Sequence, residues 1–288
     1  MPAWLRLLRP HQWIKNSFVF VGILFGHGWN NAQQLKLALL AFAAFCLTSS
    51  AVYVLNDIAD REEDRQHPKK CRRPIASGAI SPQLAYAIAA ACWLGGALLA
   101  VQCGKNLVLL LLGYMLLQVA YSHGLKHIVI LDVFLIASGF MLRILAGTLG
   151  IGIPPSQWLL LCGLLLTLFL GFAKRRAELM LLEDGGGKHR RVLEHYSEEL
   201  LDQMISVTAA GVLVAYCLYT VSPDTIALHG TDKLVYTIPF VLYGMFRYLY
   251  LLHERGGGGD PAQEVVGDWH IIASGMAWLA TTLVLLRG

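Results

Sequence analysis

Four oxygen-bearing side chains lie close together in residues 56–64. Asn56, Asp60 and Asp64 are spaced i, i+4, i+8, and Asp57 precedes Asp60 by three residues. On a continuous helix the first three would stack along one face with Asp57 at its flank, and stacked carboxylates repel unless a cation joins them. Mg2+ binds carboxylate oxygens and commonly bridges to substrate phosphates. We predict that these four residues hold Mg2+ against a diphosphate; the alternative is a solvated acidic helix end.

A basic segment follows the acidic run on the same connection. It reads Lys69-Lys70-Cys71-Arg72-Arg73-Pro74. Such a segment is also typical of a positive anchor that contacts anionic lipid at the cytoplasmic membrane surface. Because it adjoins the predicted metal site, we expect Arg72 and Arg73 to bind substrate phosphate.

The elements that position these groups are predicted to be membrane-spanning helices. Hydrophobic residues make up 56% of the 288 residues and charged residues only 15%, which excludes an ordinary soluble domain. The apolar residues form long runs, and a helix needs about 20 of them to cross a bilayer. We predict an all-α polytopic bundle, a single domain over residues 1–288, with nine spans. They are Ile14–Trp29, Leu35–Leu55, Leu84–Cys103, Leu107–Tyr121, Ile128–Ile151, Trp158–Ala173, Ile205–Val221, Leu234–Leu252 and Trp269–Leu286.

The basic residues are distributed unequally between the two sides that nine spans define. The side of the N-terminus holds 17 of the 23 Lys and Arg residues and the opposite side holds four, while Arg143 and Arg247 fall within spans. Cytoplasmic segments carry the positive excess. We therefore expect a multi-pass protein of the plasma (inner) membrane whose N-terminus and charged connections, residues 57–82, 174–204 and 253–268, are cytoplasmic.

Two ionisable residues fall inside the fifth predicted span. Asp132 and Arg143 are eleven residues apart, so they lie about three turns apart on nearly the same face. Charged groups at membrane depth are costly and normally face a bundle interior or a wet cavity. We predict that Asp132 lines a substrate site and Arg143 a cavity wall, with a structural ion pair or a snorkelling side chain as the alternative. In the following cytoplasmic segment, Glu178 is placed to orient Lys174, four residues before it.

The acidic run resembles a signature of a known superfamily. Asn56-Asp57-x-x-Asp60-x-x-x-Asp64 followed by Arg72-Arg73-Pro74-Ile75-Ala76-Ser77-Gly78 is similar to the first motif of the UbiA superfamily of intramembrane prenyltransferases. The resemblance implies nine helices around a cavity and an Asp-rich motif that binds Mg2+-diphosphate. It is compatible with the length and predicted spans of the whole chain.

The second acidic motif of that superfamily is missing from its expected place after the sixth span. Basic residues stand there instead, as Lys174-Arg175-Arg176-Ala177-Glu178 and Lys188-His189-Arg190-Arg191. Basic residues there favour a bare phosphate over a metal-bridged diphosphate. With Arg9-Pro10-His11-Gln12-Trp13-Ile14-Lys15-Asn16 and Tyr121-Ser122-x-x-x-Lys126, the chain resembles the decaprenyl-phosphate phosphoribosyltransferase branch.

That resemblance implies a reaction and its partners. Phosphoribosyl diphosphate (PRPP) would donate 5-phosphoribose to a polyprenyl phosphate, with release of diphosphate, in the synthesis of cell-wall arabinan precursors. Mg2+ is the implied cofactor; membrane lipids are expected partners and nucleic acid is not. Catalytic roles are predicted for Asp60, Asp64 and Lys174. Substrate binding is predicted for Lys15, Arg72, Arg73, Tyr121, Lys126, Asp132, Arg143, Arg175, Glu178 and Tyr196.

Two other functions remain open on the sequence. An aromatic prenyltransferase whose second motif has drifted would use a prenyl diphosphate. A transporter would use Asp132 and Arg143 as an intramembrane path. The transporter is disfavoured because the charges cluster at one membrane face and because we find no repeat with paired broken helices.

Overall fold

The computed structural model describes residues 2–26, 28, 31–67, 70–183, 191–254 and 267–287. In this part of the chain every regular element is a helix, which confirms the predicted fold class. The α-helices are α1 (Ala3–Leu8), α2 (Val21–Phe25), α3 (Ala32–Ala59), α4 (Arg61–Gln66), α5 (Pro82–Cys103), α6 (Lys105–Ser122), α7 (Leu131–Ala146), α8 (Gln157–Glu183), α9 (Glu198–Val221), α10 (Pro223–His229), α11 (Ile238–Glu254) and α12 (Trp269–Arg287). Short 3-10 helices are Lys70–Arg72, Leu125–His127, Leu149–Ile151, Arg191–His195 and Lys233–Thr237.

Eight helical segments in the described residues are long and apolar enough to cross a membrane. They agree with the second to ninth predicted spans. The first predicted span, Ile14–Trp29, instead falls on a 3-10 helix, Pro10–Phe20, followed by the five-residue α2. The predicted count of nine is therefore approximate.

The residues form two compact units. Unit 1 comprises residues 1–125 and 138–155, and unit 2 comprises residues 126–137 and 156–288. α7 contributes its first part to unit 2 and its second part to unit 1.

The core of unit 1 forms where α3 packs against α5. α3 presents small buried residues, among them Ala41 and Ala44, to its neighbours. A Cβ on Gly96 of α5 would lie 2.6 Å from the Thr48 hydroxyl and 3.1 Å from the Ala44 carbonyl oxygen. Small residues therefore let the two helices approach closely, as in other membrane helix pairs.

The 3-10 helix Pro10–Phe20 is unusual because it continues for 11 residues, whereas 3-10 runs longer than three or four residues are uncommon. Its side chains follow the period of three that this helix imposes. Asn16 and Val19 are buried, while His11, Ile14 and Ser17 are exposed. The segment is held by polar contacts to α3.

The core of unit 2 lies among α8, α9, α11 and the start of α7. Phe169 of α8 packs edge-on against Tyr248 of α11, with ring centroids 5.3 Å apart. Leu201 and Ile205 of α9 are buried in the same cluster. α8 continues as helix to Glu183, so the charged segment that begins at Lys174 is helical at first.

Candidate functional site

Asp57 and Asp64 converge on one guanidinium group in unit 1. Arg73 donates from Nη1 to Asp57 Oδ1 at 3.0 Å and to Asp64 Oδ2 at 2.6 Å. Both carboxylates are buried, each side chain being 3% exposed. Two carboxylates that meet one donor nitrogen must lie close together, and that proximity is what a shared cation stabilises.

A second guanidinium group, from the N-terminal segment, binds Asp57 of this pair. Arg9 donates from Nη2 to Asp57 Oδ1, and its guanidinium lies over the Tyr53 ring, 5.1 Å from the centroid. The Arg9 backbone is left-handed, with φ 51°, a conformation that costs energy in a residue other than glycine and is retained where surrounding contacts enforce it. Arg9 is thus part of the site. The sequence analysis named it only as the first residue of the N-terminal motif.

The helix does not continue unbroken through the acidic run. α3 ends at Ala59, Asp60 has φ −85° and ψ 5°, and α4 begins at Arg61. The predicted stripe ran through Asn56, Asp60 and Asp64. Asp57 and Asp64 are instead the carboxylates that share Arg73, and the turn at Asp60 lies between them. Asn56 accepts a hydrogen bond from the Ser122 hydroxyl at 3.3 Å, and Asp60 is half-buried beside the helix break.

The oxygens at this site suit a hard divalent cation. Both arginines contact Oδ1 of Asp57, and no described residue donates a hydrogen bond to its Oδ2. Oδ1 of Asp64 lies 4.0 Å from the Lys70 ammonium, and no hydrogen bond to it comes from the described residues. Each carboxylate thus keeps one oxygen for a metal ion, with Asn56 and Asp60 adjacent in sequence. Among the described residues no group of three or more His, Cys, Asp or Glu converges. Mg2+ commonly keeps several water ligands and is bound through one or two carboxylates together with substrate phosphates.

Polar residues on α3 hold the N-terminal segment beside the acidic pair. Trp13 donates from Nε1 to the Ser50 hydroxyl at 3.0 Å, and that hydroxyl donates to the Leu8 carbonyl oxygen at 2.8 Å. Asn16 donates from Nδ2 to Ser49 at 3.3 Å. Each of these contacts satisfies a polar group that would be costly to leave unpaired at membrane depth.

Arg143 belongs to the same network in unit 1. Its guanidinium donates to Asn16 Oδ1 at 2.7 Å, to the Gly139 carbonyl oxygen at 2.7 Å and to the Tyr114 hydroxyl at 3.2 Å. It also lies 4.9–5.5 Å from the ring centroids of Phe45, Tyr114 and Phe140. Neutral acceptors and aromatic faces surround this charge. The predicted cavity-wall role for Arg143 stays a prediction.

Asp132, Arg175, Glu178 and Tyr196 form one network in unit 2. Arg175 is fully buried and donates from Nε to Asp132 Oδ2 at 2.6 Å and from Nη1 to Glu178. Tyr196 donates to Asp132 Oδ1 at 2.9 Å and accepts from the Ile130 N–H at 2.7 Å. Burial raises the pKa of the Tyr196 hydroxyl, which therefore stays protonated as the donor. The sequence anticipated all four residues but not their mutual pairing; their contact with substrate stays a prediction.

A backbone outlier adjoins this network. Ile130 has φ 69°, which is rare for a β-branched residue. Its N–H donates a hydrogen bond to the Tyr196 hydroxyl oxygen, and α7 begins at the next residue. The hydrogen bond fixes the turn that presents Asp132 to Arg175.

Arg176 joins three helices of unit 2. It donates to Asp202 and Glu198 at the start of α9, at 2.5 and 2.6 Å, and to the Leu252 carbonyl oxygen in α11 at 3.2 Å. Because its side chain is buried and bound to two carboxylates, this arginine stabilises the packing of the helices. The basic run at the end of α8 is therefore partly structural.

The remaining predicted site residues differ in how far they are exposed to solvent. Lys15, Tyr121, Lys126 and Lys174 are half-buried and Arg72 is exposed. Lys69, Lys188, His189 and Arg190 of the basic segments lie outside the described residues. Asp268, the last acidic residue before α12, pairs with Arg247 at 2.8 Å and caps the helix.

Sequence reasoning missed how far the N-terminal motif takes part in the site. Arg9, Trp13 and Asn16 contact α3 residues that are 30 to 48 positions away. One signal was available, since Arg9, Trp13 and Asn16 recur every three or four residues and carry polar groups into an apolar segment.

Comparison with known proteins places the chain among intramembrane transferases. The UbiA prenyltransferase family model matches residues 16–263. The decaprenyl-phosphate phosphoribosyltransferase of Mycolicibacterium smegmatis is 33% identical over 286 residues, covering 96% of this chain and 90% of its own length. That of Corynebacterium glutamicum is 34% identical over 285 residues, covering 96% and 84%.

Solved structures agree at the level of the fold. A UbiA homologue from Archaeoglobus fulgidus, solved bound to GPP and Mg2+, superposes with a TM-score of 0.72 at 19% identity, covering 99% of this chain and all of that one. The resemblance drawn from the acidic run is therefore confirmed. With a family model that spans most of its length and full-length relatives at one-third identity, this chain belongs to the UbiA prenyltransferase family.

Proposed function

We propose that this integral-membrane transferase moves 5-phosphoribose from PRPP to a polyprenyl phosphate and releases diphosphate. The observation that carries the proposal is the joint presence of one acidic pair, Asp57 and Asp64, and of basic residues where a second acidic motif would stand. The relatives with this name, which match 96% of the chain, support it. The acceptor chain length is left to experiment.

The reaction needs one bond broken and one formed at the same carbon. The bond between the ribose anomeric carbon and the diphosphate oxygen breaks, and an oxygen of the acceptor phosphate forms the new bond to that carbon. The leaving diphosphate keeps the electron pair of the broken bond. Because the acceptor is already an anion near neutral pH, the chain needs no general base to activate it.

The residues around Asp57 and Asp64 suit a diphosphate leaving group. Arg73 provides positive charge next to both carboxylates and Lys70 next to Asp64. Charge that is fixed before the reaction stabilises the developing negative charge. A Mg2+ ion held by Asn56, Asp57, Asp60 and Asp64 would supply Lewis-acid stabilisation of the same leaving group. Lys15 and Arg72 in unit 1, and Lys126 and Lys174 in unit 2, stay predicted phosphate ligands.

The membrane orientation belongs to the same proposal. PRPP is a soluble, highly charged compound, so the residues that bind it must face the compartment that contains it. The excess of Lys and Arg in the segments at residues 57–82 and 174–204 supports a cytoplasmic site and a location in the plasma membrane.

A two-substrate comparison tests the reaction. Purified protein with Mg2+ is incubated with a polyprenyl phosphate and PRPP labelled in its ribose, and separately with labelled prenyl diphosphate and 4-hydroxybenzoate. We expect label in the lipid extract of the first mixture only. Transfer in the second mixture alone would identify an aromatic prenyltransferase and refute the proposal.

A further inference from the structure

We propose that Arg73 and Arg9 are the resident counter-ions of Asp57 and Asp64, so that a divalent metal binds tightly only together with diphosphate. This inference rests on the proposed function, because it concerns the same acidic pair. It assigns Arg9 to the site and gives Arg73 two successive partners, first the carboxylates and then the diphosphate.

The charges of the four residues cancel. Asp57 and Asp64 contribute two negative charges. Arg9, bonded to Asp57, and Arg73, bonded to both carboxylates, contribute two positive charges. The carboxylates are buried, so solvent screens these interactions less than it would at a surface. A bare divalent cation would meet a neutral cluster and the repulsion of two guanidinium groups, which weakens its binding.

The geometry lets a metal enter without displacing Arg9. Both arginines use Oδ1 of Asp57, and the metal has Oδ2 of Asp57 and Oδ1 of Asp64 to approach. Arg73 is the more exposed of the two arginines, with 27% of its side chain accessible against 22% for Arg9. It lies just past the 3-10 helix Lys70–Arg72, in a short connection that can adjust more readily than a long helix.

Diphosphate changes the net charge of this cluster because it brings several negative charges. A guanidinium group binds phosphate oxygens in a bidentate manner, so Arg73 gains a partner when it gives up Asp57 and Asp64. The metal then gains the carboxylates and the phosphate oxygens at once. Metal and diphosphate are thereby coupled, and by linkage each raises the affinity for the other.

Two binding measurements on Arg73→Gln test the coupling. Binding of Mn2+ alone is followed by electron paramagnetic resonance, and binding of 32P-labelled inorganic diphosphate is measured at saturating Mn2+. We expect Arg73→Gln to bind Mn2+ alone at least about tenfold more tightly than the natural protein, since a charge-assisted contact of this kind contributes more than a factor of ten. We expect the same variant to bind diphosphate at least about tenfold more weakly.

A rise in the affinity for Mn2+ together with a fall in the affinity for diphosphate distinguishes this role from a structural one. A purely structural role would lower both affinities. Arg6→Gln is the matched control, because Arg6 is an exposed arginine three residues before Arg9; it should change neither affinity by more than about twofold. If Arg73→Gln does not fold, Arg9→Gln carries the same test for Mn2+. An affinity for Mn2+ that is unchanged or lower in the folded variant overturns the proposal. Neither measurement uses a ribosyl donor or a lipid acceptor, so failure of the proposed reaction would be seen separately.

Discussion

Asp57 is the residue on which the contacts of unit 1 converge. Its buried carboxylate receives Arg9 from the N-terminal segment and Arg73 from the connection after α4. Removing its charge while keeping its shape would leave two guanidinium groups next to an amide. The effect of this change on the reaction and its effect on folding can be measured separately.

We expect Asp57→Asn to lower the rate of phosphoribosyl transfer by at least about a hundredfold. The proposed metal ion would lose a carboxylate ligand, and the leaving diphosphate would be less well stabilised. Transfer is measured with labelled PRPP, and folding by the thermal melting of the purified protein. Glu62→Gln is the control, since Glu62 is exposed and pairs with Arg65; its rate should stay within about twofold of the natural protein. A full rate in a folded Asp57→Asn protein would remove Asp57 from the site.

The 3-10 helix Pro10–Phe20 depends on a close approach to the end of α7. A Cβ placed on Gly147 would collide with the backbone carbonyl of Val19, and one placed on Gly22 would collide with the backbone carbonyl of Gly147. Backbone atoms cannot rotate away as a flexible side chain can. The position of the helix, and of Arg9 at its start, therefore depends on glycine at this crossing.

Gly147→Ala should destabilise the protein by roughly 1–3 kcal/mol, the usual cost of overpacking, and lower the melting temperature in detergent. Gly113→Ala makes the same chemical change inside α6, where nothing lies within 4 Å of the added methyl group. That control should be neutral or slightly stabilising, because alanine favours helix more than glycine does. Equal melting temperatures for the two variants would contradict the packing account.

The start of α12 is fixed by Asp268. Its carboxylate accepts the N–H groups of His270 and Ile271 and pairs with Arg247 of α11. The hydrogen bond from Arg247 is the main cause that lowers the pKa of Asp268 from 3.8 to about 2. A carboxyl group whose pKa is lower in the folded state stabilises the fold when it is charged.

The Asp268 charge should stabilise the protein fully above a pH of about 4 and progressively less as the pH falls towards about 2. Asp268→Asn keeps a capping oxygen and removes the charge, so it isolates this contribution. The difference in melting temperature between the natural protein and the variant should be greatest near pH 5 and shrink on acidification. A difference that stays constant from pH 5 to pH 2 would show that the charge is not responsible.

At the scale of the whole molecule, orientation decides which compartment supplies the substrates. Cys71 lies in the 3-10 helix between the acidic run and Arg73, in a segment that we predict to be cytoplasmic. The other five cysteines lie in α3, α5, α8 and α9. The native chain thus carries one cysteine suited to report on the side of the membrane that faces the acidic pair.

A membrane-impermeant maleimide should label Cys71 in inverted membrane vesicles and not in intact cells. Asp232→Cys, at an exposed position before the 3-10 helix Lys233–Thr237, should show the opposite pattern. Both are read by mass spectrometry of the labelled peptides. Labelling of Cys71 from the outside of intact cells would reverse the predicted orientation.

Much of this protein could be predicted because hydropathy and motif spacing are local properties. Eight of the nine predicted spans correspond to long apolar helices, since the cost of placing a segment in lipid is summed over its own residues. The acidic run, followed by Arg72-Arg73-Pro74, likewise indicates the family from the sequence alone. The first predicted span, Ile14–Trp29, is instead a 3-10 helix followed by the short α2, because an extended 3-10 helix is stabilised by its tertiary contacts and has no strong local signal.

Partner choice was decided only by the tertiary structure. Sequence spacing favoured a stripe through Asn56, Asp60 and Asp64, whereas packing brings Asp57 and Asp64 to Arg73 and adds Arg9 from 48 residues away. Packing also pairs Asp132 with Arg175, and it brings Arg143 to Asn16, which is 127 residues away in the sequence. The residue types and the membrane helices follow from the sequence alone. Which charges neutralise one another depends on how distant helices cross, because an ion pair or hydrogen bond forms only within a few ångströms.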